Sequence, residues 1–143
     1  MNKLARVFCL LPFLFMGSKC NDKANQKALE GDWICTQVEG VSNTKGEAAP
    51  IVHFHLNNKT ASGKGGCNTW DATMETNGKG AVHFGPIKAT KKACRPFETQ
   101  VESAFFKALG EADHYVFTEN GRLKLFNKQT ELIEFKPLLI DFE

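Results

Sequence analysis

Five cysteines, four histidines and two tryptophans are the residues of this 143-residue chain whose types and spacing could do chemistry. Cys9, Cys20, Cys35, Cys67 and Cys94 are an odd set, so the fate of each thiol depends on the redox compartment the chain reaches. A nucleophilic cysteine needs a base or cation nearby to lower its pKa. Cys35, close to Trp33 in an alternating stretch, has no such partner near it in sequence and reads as a buried core thiol; a cysteine hydrolase is not expected. His53 and His55 lie two apart, which on a strand puts both imidazoles on one face and within reach of a single metal ion, with His83 as a third ligand. They alternate with Val52, Phe54 and Leu56, the natural core set, so solvent-facing strand residues are the simpler reading and no metal or other cofactor is expected. Gly63-Lys64-Gly65-Gly66 lacks the Lys-Ser/Thr pair and following helix of a phosphate loop, and reads as a tight bend or bulge. Trp70, near Asn68 and Asp71, offers large contact area and a polar N–H. Asn68 and Trp70 are therefore the candidate recognition surface, with a core tryptophan as the alternative. Lys88, Lys91, Lys92 and Arg95 form a basic cluster that either meets an acidic partner or anionic headgroups, or is simply solvated.

The elements that must hold these residues start after a leader. Lys3 and Arg6 precede the apolar run Val7 to Met16, and Gly17-Ser18 follows, the layout of a secretory signal peptide over residues 1–19. The run is about half the roughly 20 residues a membrane-spanning helix needs. Cys20 stands where a bacterial lipoprotein carries its lipid-accepting cysteine, although Lys19 occupies a place where a small residue is usual. Lipidation of Cys20 would tie the protein to a membrane; ordinary cleavage near Ser18-Lys19-Cys20 would free it. Either outcome implies export, to the periplasm or to a membrane-anchored place in the cell envelope, and an oxidising environment. The formal charge of +2 is too weak for a nucleic-acid partner. Most of it belongs to the leader: without Lys3, Arg6 and Lys19, 15 basic residues face 16 acidic ones.

Residues 20–28 read as a polar tether, and the rest as one domain, because the chain is too short to bury two cores. Strands are expected at Gly31–Val38, Ile51–Leu56, Thr60–Gly63, Thr69–Thr76, Ala81–Phe84, His114–Thr118, Leu123–Phe126 and Glu131–Lys136, with Pro137 ending the last. Asn57-Asn58 reads as one hairpin turn and Asn77-Gly78 as a two-residue type I′ turn. Phe97, Val101, Ala104, Phe105, Ala108 and Leu109 recur at helical spacing after Pro96, predicting a helix over about 97–109 with Gly110 as its stop. The fold class is α+β: about seven or eight short strands in a strongly curved, mainly antiparallel, half-barrel-like sheet packed on that helix.

Several motifs follow one another in a recognisable order. Leu29-x-Gly31-x-Trp33, Gly66-Cys67-Asn68, Ile87-x-x-Thr90-x-x-Ala93-Cys94, Glu102-x-x-Phe105-x-x-x-Leu109 and Leu123-x-Leu125 together resemble the META domain, the family of the heat-shock protein HslJ. Ala72 and Met74 stand where that family usually has a glycine and an aromatic, and Lys92 where it usually has methionine. The resemblance spans about residues 29–137, leaving 138–143 as a tail. It implies a curved antiparallel sheet on a helix, commonly in bacterial envelope lipoproteins, and no known enzymatic activity. Both Cys67 and Cys94 belong to the matched motifs, and a disulfide between them is the expectation; two buried free thiols are the alternative. The functional expectation is an exported, monomeric, non-enzymatic envelope protein that acts in binding or stress tolerance on an unknown envelope protein or small ligand. A lipocalin-like carrier of a small apolar ligand and an inhibitor of an extracellular enzyme are the alternatives.

Overall fold

The computed structural model describes residues 19–42 and 44–139, so apart from Lys19 the leader lies outside it, as does the end of the tail. Among the described residues there are nine strands: β1 (Gly31–Val38), β2 (Ile51–His55), β3 (Thr60–Lys64), β4 (Thr69–Thr76), β5 (Val82–Phe84), β6 (Lys88–Ala89), β7 (His114–Phe117), β8 (Leu123–Asn127) and β9 (Thr130–Pro137). All pairings are antiparallel, in the order β5-β4-β3-β2-β1-β9-β8-β7, with β6 added beside β4. The two ends of this order meet. Ala81 bridges His114, the Val82 N–H donates to the Asp113 carbonyl at 3.1 Å, and the Tyr115 N–H donates to the Gly80 carbonyl at 2.8 Å. The sheet is thus a nearly closed barrel.

Alternation decides which side chains fill it. Along β4, Trp70, Ala72 and Met74 are buried while Thr69, Asp71, Thr73 and Glu75 face outward. On β2, Val52 and Phe54 do the same. Helix α2 (Pro96–Glu111) closes the interior with Val101, Phe105, Ala108 and Leu109, one stripe at helical spacing. Phe105 meets the Trp70 ring edge-on at 5.8 Å between centroids and Phe135 at 6.3 Å, and Phe54 reaches Phe135 at 6.5 Å. Each of these buried aromatic side chains contributes about 1.5–3 kcal/mol through its apolar area.

The differences from the sequence reading have local causes. Residues Lys19–Leu29, expected as a tether, form a helix, α1, which from Lys23 onward is largely exposed except for Leu29, whose carbonyl accepts the Trp33 indole N–H at 3.1 Å. Strand β6 has two exposed residues, too few to show a period. Helix α2 runs through Gly110 because buried Leu109 and Ala112 flank it, offsetting the roughly 1 kcal/mol a helical glycine costs. After β4 the turn is longer than two residues, since Thr76 pairs with Val82. The Asn77 carboxamide oxygen accepts the Lys79 and Ala81 N–H groups, both at 3.0 Å, and the positive φ falls on Gly80.

Candidate functional site

Residues of three of the sequence motifs, those around Cys67, Cys94 and Glu102, gather where the glycine bend leans on α2. An added Cβ at Gly65 would lie 2.6 Å from the Phe106 ring, and one at Gly66 would lie 2.9 Å from the Glu98 carbonyl, so at Gly66, where the obstacle is backbone, the approach calls for glycine. The bend presents its N–H groups to one carboxylate. Glu102 Oε2 accepts the Cys67 N–H at 3.1 Å and the Asn68 N–H at 2.6 Å, while Oε1 accepts Asn68 Nδ2 at 2.7 Å. Asn68 Oδ1 in turn accepts the Thr90 hydroxyl at 3.0 Å and the Lys92 N–H at 2.8 Å. Cys67 and Cys94 are joined as a disulfide beside this network, with Cα atoms 6.0 Å apart. The Lys92 contribution is a backbone group, so a lysine serves there as well as a methionine.

These contacts correct the candidate recognition surface. Asn68 is 6% exposed and Trp70 3% exposed, so neither is free to meet a partner. Asn68 is spent on the network, and Trp70 lies on the inward face of β4, against Phe105 and Phe106. The sequence contained the deciding signal for Trp70: Ala72 and Met74 follow it at a spacing of two, and Asp71, Thr73 and Glu75 mark the wet face. For Asn68 no local signal existed, because its partners lie more than twenty residues away.

The histidines do not converge. His53 Nδ1 is 2.5 Å from Asp32 Oδ1, and His55 stacks on His53 at 6.5 Å between ring centroids. His83 sits on β5, three strands from β2, roughly 14 Å away at the usual strand spacing. Among the described residues the one cluster with metal-like spacing is Cys67, Cys94 and Glu98, where both sulfurs are already bonded to each other. In the basic cluster, Arg95 pairs with Glu98 at 2.6 Å and caps α2, whereas Lys88, Lys91 and Lys92 are exposed.

Cys35 is buried, and burial pushes its thiol up to about 12, which leaves it neutral and unreactive at physiological pH. Outside the barrel beside it, side chains from three strands form a charge network that the sequence reading missed. Glu134 on β9 takes Arg122 at 2.8 Å, Lys124 at 3.3 Å and the Thr36 hydroxyl at 2.9 Å. Partial burial pushes the Glu134 carboxyl up, but Thr36, Lys124 and Arg122 outweigh it and hold the group below its ordinary value. Lys124 also reaches Glu131 at 2.8 Å.

The sequence model of the META domain matches residues 26–138, almost the whole described chain. The chain belongs to the META domain family. No curated protein matches it. A protein from Burkholderia xenovorans, known by its NMR structure, is similar in fold: TM-score 0.61, 21% identity, over 95% of this chain and 97% of that one. A second NMR structure is similar at TM-score 0.60 and 17% identity, over 78% of this chain and 92% of that one. At such identities the likeness is one of fold. Three of the META-domain motifs in this chain have a structural role at one place: they bend the chain onto α2, pin it with Glu102 and Asn68, and bridge it with a disulfide.

Proposed function

We propose that this META-domain protein is exported to the cell envelope, held at a membrane through Cys20, and works there without catalysis, binding a partner or ligand in a stress-tolerance role. The observation that carries the reading is helix α1. Its described side chains are exposed except for half-buried Gln26 and buried Leu29, and at 1.5 Å per residue it sets the Cys20 backbone about 14 Å from Leu29. A lipid at that place would leave the barrel free in solution while fixing it to a bilayer. No helix among the described residues is long and apolar enough to cross a membrane. The Cys67–Cys94 disulfide suits an oxidising compartment. The interior positions are filled by Phe54, Phe105, Phe135 and Leu125, each at most 1% exposed, so binding on the outer surface is preferred to a lipocalin-like central cavity.

The test is expression of the full-length sequence in a bacterium, with fractionation and intact mass before and after reduction. Expected are a chain beginning at an acylated Cys20 in the membrane fraction and a mass gain of two hydrogens from one disulfide on reduction. Cys20→Ala should move the protein to the soluble envelope fraction. A cytoplasmic product that keeps residues 1–19 would overturn the reading.

A further inference from the structure

The geometry points to a binding recess for a small organic carboxylate on the outer wall of the barrel, between strands β1 and β9 and the loop Thr44–Ala49. The recess has a volume of about 440 Å³, within the range typical of small-molecule sites. Ile34, Cys35 and Ala49 give it an apolar floor, while Lys45, Arg122 and Lys136 stand at its rim.

Strand register explains why the cations collect there. Ile34 of β1 pairs directly with Lys136 of β9, and Arg122 immediately precedes Leu123, which pairs with Phe135. One row across the wall therefore carries an apolar residue and two cations. The neighbouring row is Thr36, Glu134 and Lys124, bonded to one another. Glu134 and, beyond it, Glu131 are matched by Arg122 and Lys124, and Glu47 of the loop reaches Arg95 at 3.6 Å and lines a different hollow. Lys45 and Lys136 have no ion pair among the described residues. Among the described residues the wall thus keeps two positive charges without an acidic partner above an apolar floor, the complement of an anion with an apolar body.

Two details make the place more than a charged dent. Arg122 is fixed by one nitrogen, Nη1, which reaches both Glu134 at 2.8 Å and Thr36 at 3.3 Å. A guanidinium has five N–H donors, so others remain for a carboxylate in a side chain whose orientation is already set. Thr44 lines the recess, is 2% exposed, and its hydroxyl faces the Cys35 thiol, with no nitrogen or oxygen partner among the described residues. A thiol is a weak partner for a buried hydroxyl, and a polar ligand atom would be a stronger one. The recess gives a location to the binding role proposed above and rests on that role alone, not on export or on Cys20.

The experiment uses the full-length sequence expressed and purified in 15N-labelled form, titrated with sodium benzoate, with neutral benzamide and with inorganic phosphate. Benzoate should give saturable amide shifts confined to Ile34–Thr36, Thr44–Ala49, Arg122 and Lys136. Benzamide and phosphate should each bind at least tenfold more weakly, since one lacks the charge and the other the apolar body. The double variant Lys45→Glu/Lys136→Glu changes exposed side chains only, so its spectrum elsewhere should be unaltered while benzoate affinity falls at least tenfold. Thr44→Val should weaken benzoate without lowering the melting temperature. Equal shifts from benzoate and benzamide, binding by phosphate alone, shifts scattered over the surface, or undiminished binding by the double variant would each overturn the recess. Those outcomes leave the fractionation result untouched, and an envelope partner held equally by wild type and double variant would keep the binding role while removing this site.

Discussion

A single carboxylate, that of Glu102, serves three N–H groups of a bend whose glycines approach α2 closely. Its value lies less in the bonds it makes than in the donors it would abandon, because a buried N–H without a partner costs about 1–3 kcal/mol. Glu102→Ala strands the Asn68 N–H and Nδ2 together, and should lower stability by about 3 kcal/mol, read from the urea midpoint at unchanged slope. Glu102→Gln keeps one acceptor oxygen and replaces the other with a donor that faces donors, so a loss of about 2 kcal/mol is expected. A loss under about 0.5 kcal/mol for both variants would mean that the disulfide alone holds the bend. The motif residues were legible in the sequence as a set, but not their work. Asn68 looked like a recognition residue because a polar side chain beside a tryptophan has that meaning on a surface, and only the fold puts both inside.

Between elements, the approach of the glycine bend to α2 sets what each glycine tolerates. At Gly66 the obstacle to a side chain is backbone, the Glu98 carbonyl at 2.9 Å and the Glu102 nitrogen at 3.2 Å, and neither can move without breaking the first turns of the helix. At Gly65 the obstacle is the far edge of the Phe106 ring, on a side chain that is only partly buried and can swing aside. Gly66→Ala should therefore cost about 2–3 kcal/mol and Gly65→Ala about 1 kcal/mol, a ranking that thermal melts of the two variants check directly. Reversed order would show that the bend, not the helix, gives way. The same contrast between local and distant causes explains which elements the sequence revealed. Strands β1, β2 and β4 and helix α2 were legible because one wet and one dry face impose a period on the residues themselves. The Asn77 turn and the run of α2 past Gly110 were not, since the first depends on a side chain accepting two backbone groups and the second on Leu109 and Ala112 being buried. The charge network around Glu134 was hidden for a similar reason, as Thr36 reaches it across 98 residues of chain.

At the scale of the whole molecule the barrel, its helix and its disulfide behave as one unit because nearly every strand has two neighbours and the interior is shared. Closure through Ala81 and His114 ties the first half of the chain to the second, and the rings of Trp70, Phe105 and Phe135 join the sheet to α2 across the middle. The Cys67–Cys94 bond, with a sequence separation of 27, restrains a loop of about 28 residues in the unfolded chain, a constraint worth about 3.6 kcal/mol in the chain-entropy picture. It adds no contact that organises the barrel, and Glu102 with Asn68 holds the same bend from within. The double variant Cys67→Ser/Cys94→Ser should therefore remain folded at 25 °C and lose up to about 3.6 kcal/mol. Its urea unfolding should stay a single transition, with tryptophan fluorescence, which reports on buried Trp33 and Trp70, coinciding with far-ultraviolet circular dichroism, which reports on the helices. Separated curves would mean that α2 and the glycine bend detach before the barrel opens, and that the disulfide, rather than the shared core, makes the domain cooperative.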